Sequence, residues 1–315
     1  MSRYKYVFGP VPSRRLGASL GVDVLPLKTC TQNCIYCQLC VTQEPEVEVK
    51  TYAPQEEVLA EIYARLNEGV HMDYITFSGS GEPTLHKALG EMICQLKRNT
   101  DKRVAVITNG TMLWNARVRE ALALADVVMP SLDAFDEDSF EVINRPHHKI
   151  TFDMLMAGLK EFRASYKGQM WLEIFLLKGL NDSPEQLAKI KQLVSDISPD
   201  RIQLNTAVRP GCDKTLEPLS DAELAAAAAV IGYDAEGIKL SRKANQSVEQ
   251  SALAESILAM VERRPCSASD ISEGLQANML EVNHAIDELL KKQLIQTESV
   301  AGEFFYRTSD AESSI

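Results

Sequence analysis

The sequence predicts an α/β fold of six strand–helix units, followed by a smaller α+β region. Two observations predict it. Short apolar runs rich in β-branched residues alternate with longer runs of helical period over residues 19–205. From about Val248 helical patterns instead follow one another. Alternation implies parallel strands joined by right-handed crossovers, and this arrangement suits either a partial (β/α)6 barrel or a doubly wound sheet.

The strand patterns cover residues 19–24, 74–77, 104–108, 127–132, 170–176 and 201–205. The helical patterns between them cover residues 54–67, 89–97, 115–123, 151–166 and 183–197. A further helix is expected at residues 221–231, because its alanine run has high helix propensity. We therefore assign residues 1–232 to a large domain with an N-terminal arm and residues 233–247 to a linker.

Residues 248–315 are predicted to form a small domain that resembles a winged helix. Helical patterns at 253–263, 268–275 and 279–292 precede strand patterns at 295–299 and 304–307. The domain carries 12 acidic and 5 basic residues, a net charge of −7. Because its third helix is also acidic and would repel phosphate, we expect contact with a protein, substrate capping or dimerisation rather than DNA binding.

The composition suits a soluble protein of the reducing cytoplasm. Seven cysteines, an odd number, argue against a disulfide framework. The sequence contains no stretch of about twenty apolar residues and no apolar signal core after its N-terminus, so neither a membrane span nor export is expected. The formal charge of −11 weighs against nucleic acid as a partner, since phosphate neutralisation needs clustered Lys and Arg.

Three cysteines lie within eight residues, in the run Cys30-Thr31-Gln32-Asn33-Cys34-Ile35-Tyr36-Cys37. Such thiolates can converge on a soft metal centre, and three ligands would leave one iron of a four-iron cluster with a vacant site. A structural zinc site is the alternative, because Cys40 would supply a fourth thiolate. Zinc sites usually take two ligands from each of two separated elements, which favours the cluster.

The spacing C-x-x-x-C-x-x-C, with Tyr36 before the third cysteine, resembles the signature of the radical S-adenosylmethionine (SAM) superfamily. The resemblance implies that Cys30, Cys34 and Cys37 hold a [4Fe-4S] cluster whose unique iron is chelated by SAM. It also implies a partial (β/α)6 barrel, reductive cleavage of SAM to a 5′-deoxyadenosyl radical, and an external electron donor of the flavodoxin or ferredoxin type.

Within this superfamily, the sequence at residues 8–17 and 78–86 resembles one branch, the Fe-S oxidoreductases grouped near the wybutosine tRNA-modifying enzymes. Those enzymes use cysteines upstream of this motif for an additional cluster. None precedes Cys30 in this chain. That departure and the acidic composition count against tRNA as the substrate.

Polar residues follow the predicted strands at the edge where parallel α/β folds form their active sites. Gly79, Ser80, Gly81 and Glu82 follow the second strand and form either a plain turn or the family's glycine-rich loop, which holds the methionyl ammonium of SAM. The resemblance adds further cofactor contacts at Thr108, Asn109, Ser131 and Asp133, and at the backbone of Tyr36. Glu173 points into the barrel if strand alternation holds, or lies outside beneath a helix.

Other residues are candidates for the substrate. Arg14 and Arg15 precede the first strand and suit a phosphate or carboxylate, unless they lie on a solvated arm. Asn205 ends the sixth strand. His147 could orient a substrate or carry a proton, and Cys212 could donate a hydrogen atom, although loop residues of both types are commonly incidental.

These observations favour a radical SAM enzyme that abstracts hydrogen from an unidentified small molecule. Three alternatives remain. One is a protein-modifying or enzyme-activating radical SAM enzyme whose winged helix presents a protein partner. The others are a tRNA-modifying enzyme and a non-enzymatic Fe-S sensor that binds DNA.

Overall fold

The computed structural model describes residues 4–13, 15–39, 44–209, 211–232, 236–237, 250–275, 277–300 and 302–309. The larger sheet comprises β1 (Val7–Ser13), β2 (Gly17–Val22), β3 (Tyr74–Phe77), β4 (Arg103–Thr108), β5 (Val127–Pro130), β6 (Gln169–Leu176), β7 (Arg201–Thr206) and β8 (Glu236–Gly237). Its helices are α1 (Gln55–Asn67), α2 (Leu89–Asn99), α3 (Ala116–Leu122), α4 (Glu137–Ile143), α5 (Phe152–Ser165), α6 (Pro184–Ile197) and α7 (Asp221–Ile231).

The strand order decides between the two predicted architectures. The order runs from β1 to β8 without a reversal, and each strand from β3 to β8 pairs in parallel with the strand before it. A doubly wound sheet requires a switch point at which the order reverses. The partial barrel is therefore confirmed. Its edge strands within the described residues are β1 and β8.

Two elements of more than five residues are absent from the sequence prediction. The N-terminal arm forms β1, antiparallel to β2, with an irregular register between Phe8 and Val11. Proline and glycine interrupt this segment, so it lacks the alternating pattern of a strand. The short helix α4 is also unpredicted. It is fixed by a capping box between Asp136 and Ser139 rather than by a long apolar period.

The C-terminal part has its own apolar core. It contains α8 (Gln250–Val261), β9 (Cys266–Ser267), α9 (Ala268–Leu275), α10 (Met279–Lys291), β10 (Ile295–Val300) and β11 (Glu303–Thr308). Leu253, Ile257 and Ile286 belong to this core, while the barrel helices pack in a separate and larger one. The predicted helices and hairpin are therefore present, and the winged-helix assignment and the domain limits remain predictions. Of the predicted linker, residues 236–237 form β8 and the others lie outside the described residues.

The C-terminal part packs against the open edge of the barrel at β1. Val11 of β1 contacts the C-terminal core, and the guanidinium of Arg263 lies 4.5 Å from the ring centroid of Phe8. Arg209, in the loop after β7, donates to Asp270 of α9 at 2.8 Å. Contacts at both β1 and the loop after β7 place this part across the gap that a partial barrel leaves. No helix in the described ranges is long and apolar enough to cross a bilayer.

Candidate active site

A cavity of about 440 Å³ lies at the carboxyl ends of the parallel strands. Most of the predicted site residues line it: Arg15, Cys30, Cys34, Tyr36, Cys37, Gly79, Gly81, Glu82, Thr108, Asn109, Ser131, Glu173 and Asn205. The volume falls within the ~300–1,000 Å³ range of small-molecule sites. Arg14 and Cys40 lie outside the described residues.

Main-chain hydrogen bonds hold the cysteine loop on three sides. Glu82 N donates to Thr29 O at 2.9 Å, which ties the loop to the end of β3. On a second side, Ile35 N donates to Ile143 O at 3.0 Å. On the third, Cys212 N donates to Cys37 O at 2.9 Å. The three thiols are therefore positioned by neighbouring loops as well as by their own spacing.

The thiols of this loop are in an environment that resists their ionisation. Burial, followed by the charge of Glu82, raises the pKa of Cys30 to about 11. Burial and the proximity of Cys30 and Cys37 raise the pKa of Cys34. A hydrogen bond with Cys212, together with burial, raises the pKa of Cys37. Bound metal cations reverse this preference, because a coordinated thiol is deprotonated.

Lys28 provides a positive charge beside the thiols. Its side chain is 4% exposed. Burial acts to lower its pKa, but the neighbouring Cys37, Cys30 and Cys34 outweigh burial and the pKa is raised. A buried lysine is costly unless it is paired, so this residue fits a site that gains negative charge. No motif in the sequence marks Lys28 as a site residue.

The glycine loop approaches the cysteine loop and Asp23 more closely than a larger residue would permit. A Cβ at Gly81 would lie 2.1 Å from Thr29 O. Gly79 has φ +145°, and a Cβ there would lie 2.4 Å from the carboxyl carbon of Asp23. Asp23 in turn accepts from Ser80 N at 3.0 Å and from the Ser80 hydroxyl at 2.6 Å. Ser80 therefore orders the loop through Asp23.

Glu82 is buried and accepts hydrogen bonds from the end of β4 and from Thr84 in the turn that follows Glu82. Its Oε1 accepts from the hydroxyls of Thr84 and Thr108, both at 2.6 Å, and from Thr84 N at 3.1 Å. Its Oε2 accepts from Asn109 N at 2.7 Å. Burial raises the pKa of Glu82, although these bonds oppose the shift. A carboxylate oxygen can accept more than one bond, so Oε2 retains capacity for a further donor in the cavity.

Asn109 connects the end of β4 to the cysteine loop. Its Nδ2 donates to Thr31 Oγ1 at 2.7 Å and approaches Cys30 Sγ at 3.5 Å. Asn144 makes a comparable contact, 3.6 Å from Cys34 Sγ. Amide donors to sulfur are among the contacts that tune iron–sulfur centres.

Asp133 is fully engaged with protein groups. Its carboxylate accepts from the Tyr36 hydroxyl, from Asn144 Nδ2 at 2.9 Å and from Phe175 N at 2.9 Å. Tyr36 stacks on Phe175 with ring centroids 4.0 Å apart. Asp133 is not part of the cavity lining formed by the described residues, so its predicted cofactor contact stays a prediction. What the structure establishes is that it orients Tyr36.

This carboxyl gives the fold a specific pH dependence. Burial raises the pKa of Asp133 to about 6 from the usual 3.8, so the folded state binds its proton more tightly than the unfolded state does. The resulting stabilisation is present below pH ~4 and is lost as the pH rises through ~6. As the pH rises from ~4 to ~6, we expect the free energy of unfolding of the wild type to fall by roughly 2–3 kcal/mol more than that of Asp133→Asn. Urea titrations at several pH values measure it. The exposed control Asp138→Asn should show no such change, and parallel profiles for wild type and Asp133→Asn would contradict the prediction.

Glu173 points into the barrel, which resolves the two orientations that the sequence leaves open. It lines the cavity and forms an ion pair with Arg15 across the barrel. The side chains of the pair are 18% and 16% exposed, Arg15 first. Arg15 therefore supplies the partner that an inward acid requires.

His147 and Cys212 are not brought into this cavity. His147 lines a separate recess with Glu44, Glu137 and His148, and its ring stacks on His148 at 4.1 Å. Cys212 is exposed, and its thiol donates to Cys37 O at 2.9 Å. Both catalytic assignments stay predictions. Among the described residues, no three His, Cys, Asp or Glu side chains are grouped as ligands of a single metal ion.

Comparison with known proteins identifies the class. Residues 24–190 match the family model described as the radical SAM superfamily. The chain therefore belongs to the radical SAM superfamily, a class of iron–sulfur enzymes. The fold agrees, since a radical SAM methyltransferase from Sphaerobacter thermophilus aligns with a TM-score of 0.54 at 17% identity, covering 70% of this chain and 65% of that one.

Some relatives match almost the whole chain. The UPF0026 protein of Helicobacter pylori is 32% identical over 307 residues, which cover 95% of this chain and 96% of that protein. A Brachyspira hyodysenteriae protein named GTPase Obg is 39% identical over 306 residues, which cover 96% of this chain. The match spans 45% of that protein, so this chain corresponds to less than half of its length.

Proposed function

We propose that this chain holds a [4Fe-4S] cluster on Cys30, Cys34 and Cys37 and uses it with SAM to abstract hydrogen from a small molecule. The supporting observation is that the three thiols line one cavity with Gly79, Gly81 and Glu82 at the carboxyl edge of the barrel. When bound, the cluster and SAM supply a reductively generated 5′-deoxyadenosyl radical, for which an external flavodoxin- or ferredoxin-type protein provides the electron. Superfamily membership supports this chemistry, whereas the substrate rests on the cavity alone.

The residues of the cavity suit both the [4Fe-4S] cluster and SAM. Three soft thiol donors with a buried lysine beside them match the anionic character of a thiolate-ligated cluster. At Gly79 and Gly81 the chain leaves no room for a side chain, which lets this loop pack closely against the cysteine loop and Asp23. Glu82 would accept the ammonium of the methionyl group through Oε2, and Thr108, Asn109 and Ser131 line the same cavity.

The cavity favours a small substrate. It lies between the barrel and the C-terminal part, and residues of both line it, including Arg15, Asn205 and Met260. Its volume of about 440 Å³ lies within the ~300–1,000 Å³ range of small-molecule sites, which supports a small substrate. We do not propose GTP hydrolysis, the activity in the name of the Brachyspira relative, because this sequence has no phosphate-binding G-x-x-x-x-G-K-[S/T] motif.

The proposal is tested by anaerobic reconstitution of the cluster, followed by SAM and dithionite. We expect 5′-deoxyadenosine and methionine to accumulate with the wild type and to be at background with Cys34→Ala. Product formation that is equal in the two proteins, or absent from a wild type that carries a full cluster, would refute the proposal.

Lys28→Met is expected to lower the midpoint potential of the cluster. A buried cation favours the reduced, more negative state, so its removal makes reduction harder. Unit charges ~5 Å apart at an effective dielectric constant of ~20 interact by a few kcal/mol, which corresponds to a shift on the order of 100 mV. A redox titration followed by electron paramagnetic resonance measures it. The exposed control Lys87→Met should leave the potential in place, and an unchanged potential in Lys28→Met would contradict the assigned role.

A further inference from the structure

The C-terminal part contributes side chains to the cavity that contains the cysteines. Met260, Arg263, Arg264, Asp270 and Glu273 all belong to its lining. Arg263 and Arg264 follow the end of α8, where the main-chain amides of both approach Met260 O at 3.3 Å. A helix carboxyl end favours cations, which explains their tolerance there but not their position on a cavity wall.

Arg264 lies among other arginines without an acid of its own. Arg15 is paired with Glu173, and Arg209 donates to both carboxylate oxygens of Asp270 at 2.8 and 3.3 Å. Arg264 makes no ion pair with any residue in the described ranges. The acids that line this end, Asp270 and Glu273, are not free.

The like charges disfavour one another. Burial, followed by the proximity of Arg209, lowers the pKa of Arg264, and Arg15 adds to this effect. Nearby Asp270 and Cys266 oppose the shift without cancelling it. Guanidinium groups held together in a half-buried cavity are costly unless an anion joins them.

Arg263 adds a second, independent sign of a missing partner. Its guanidinium stacks on Phe8 at 4.5 Å and donates through NH1 to Ala259 O at 2.8 Å. Its Nε is buried and has no hydrogen-bond partner among the residues that the structure describes. The stacking fixes the plane of the guanidinium, and a planar donor held in this way is suited to an oxyanion.

We propose that Arg263 and Arg264, with Arg209 and Arg15 beside them, bind an oxyanionic group of the substrate, either a phosphate or a carboxylate. This proposal rests on the proposed function in one respect, because it takes the anion to be part of the substrate of the radical reaction. Apolar neighbours Phe8, Val11 and Met260 line the same cavity and suit the uncharged body of such a molecule. The C-terminal part thereby acts as the element that recognises the substrate across the open side of the barrel.

Binding of pyrophosphate and of succinate to the full chain, measured by calorimetry at matched ionic strength in chloride, tests the site. We expect saturable binding of at least one, weakened at least tenfold by Arg264→Met and unchanged by the exposed control Arg98→Met. The pyrophosphate and succinate arms distinguish phosphate from carboxylate. Cys34→Ala should bind the anion as the wild type does, so loss of SAM cleavage and loss of anion binding are separate outcomes.

A second measurement avoids any variant that fails to fold. Phenylglyoxal modifies accessible arginines of the wild type, and peptide mapping by mass spectrometry follows each one. We expect pyrophosphate or succinate to slow modification of Arg264 severalfold and to leave Arg98 unaffected. Equal rates with and without both anions, or affinity in Arg264→Met equal to that of the wild type, would overturn the proposal.

Discussion

Gly81→Ala is expected to lower SAM cleavage at least a hundredfold and to prevent full cluster loading. The Cβ of alanine would lie 2.1 Å from the carbonyl oxygen of Thr29 and 2.9 Å from its carbonyl carbon. Thr29 is the residue before Cys30. Both obstructing atoms are backbone, so no side-chain rotation relieves the contact. The two loops must separate, which breaks the 2.9 Å bond from Glu82 N to Thr29 O and moves Cys30 from the other thiols. Overpacking of this kind costs ~1–3 kcal/mol or more.

The readouts are iron and sulfide content after reconstitution, 5′-deoxyadenosine formation, and the thermal midpoint of the protein without its cluster. Gly179→Ala is the matched control. Unlike Gly81, Gly179 has a positive φ of +76°, and a Cβ there meets nothing within 4 Å. This control should lose up to ~1–2 kcal/mol of stability and keep its activity. A Gly81→Ala protein with wild-type cluster content and turnover would show that the close approach of the two loops is dispensable.

Much of the barrel is predictable because its strands are short and almost fully buried. The predicted strand at 74–77 coincides with β3, and the predicted helix at 221–231 coincides with α7. Continuous apolar runs between amphipathic helices leave little freedom for other assignments. β1 escapes prediction because its pairing with β2, and not its own pattern, makes it a strand.

The candidate site is predictable to the extent that topology alone determines it. Parallel strands place their carboxyl ends on one edge, so the residues after β2, β3, β4 and β7 meet without any knowledge of side-chain contacts. Asp133 obeys this rule and still does not line the cavity, because Tyr36, Asn144 and Phe175 occupy its oxygens. The position of a residue at a strand end therefore predicts that it lies near the site, but it does not predict which groups its side chain contacts.

The partners of charged side chains are the feature of this site that is least predictable from the sequence. Arg15 and Glu173 are 158 residues apart, and no local pattern reveals their pairing. The acidity of residues 248–315 argues against nucleic acid, but that sum conceals two arginines that face the cavity. Lys28 likewise lies beside the thiols without a sequence signal. Each case depends on a long-range contact that appears only when the barrel and the C-terminal part come together.

Glu82→Gln is expected to weaken SAM binding by about tenfold to a hundredfold while changing stability little. The substitution keeps the shape and removes the charge that the proposed ammonium contact needs, a loss of ~1.5–3 kcal/mol. One of the positions now held by Oε1 and Oε2 becomes an amide donor that faces another donor, at Asn109 N or at the Thr84 and Thr108 hydroxyls. Burial already disfavours the charge of Glu82, so its removal offsets part of that cost. We therefore expect the free energy of unfolding to fall by no more than ~2 kcal/mol.

The two effects separate because affinity and stability are measured independently, by calorimetry with SAM on the reconstituted protein and by urea unfolding without the cluster. Glu91→Gln on the exposed face of α2 is the control, and it should change neither. If Glu82→Gln bound SAM as tightly as the wild type, the carboxylate would not be the ammonium partner, and its position would be explained by the hydrogen bonds that join the loop after β3 to the end of β4. A large loss of stability with unchanged affinity would assign it to that architectural role outright.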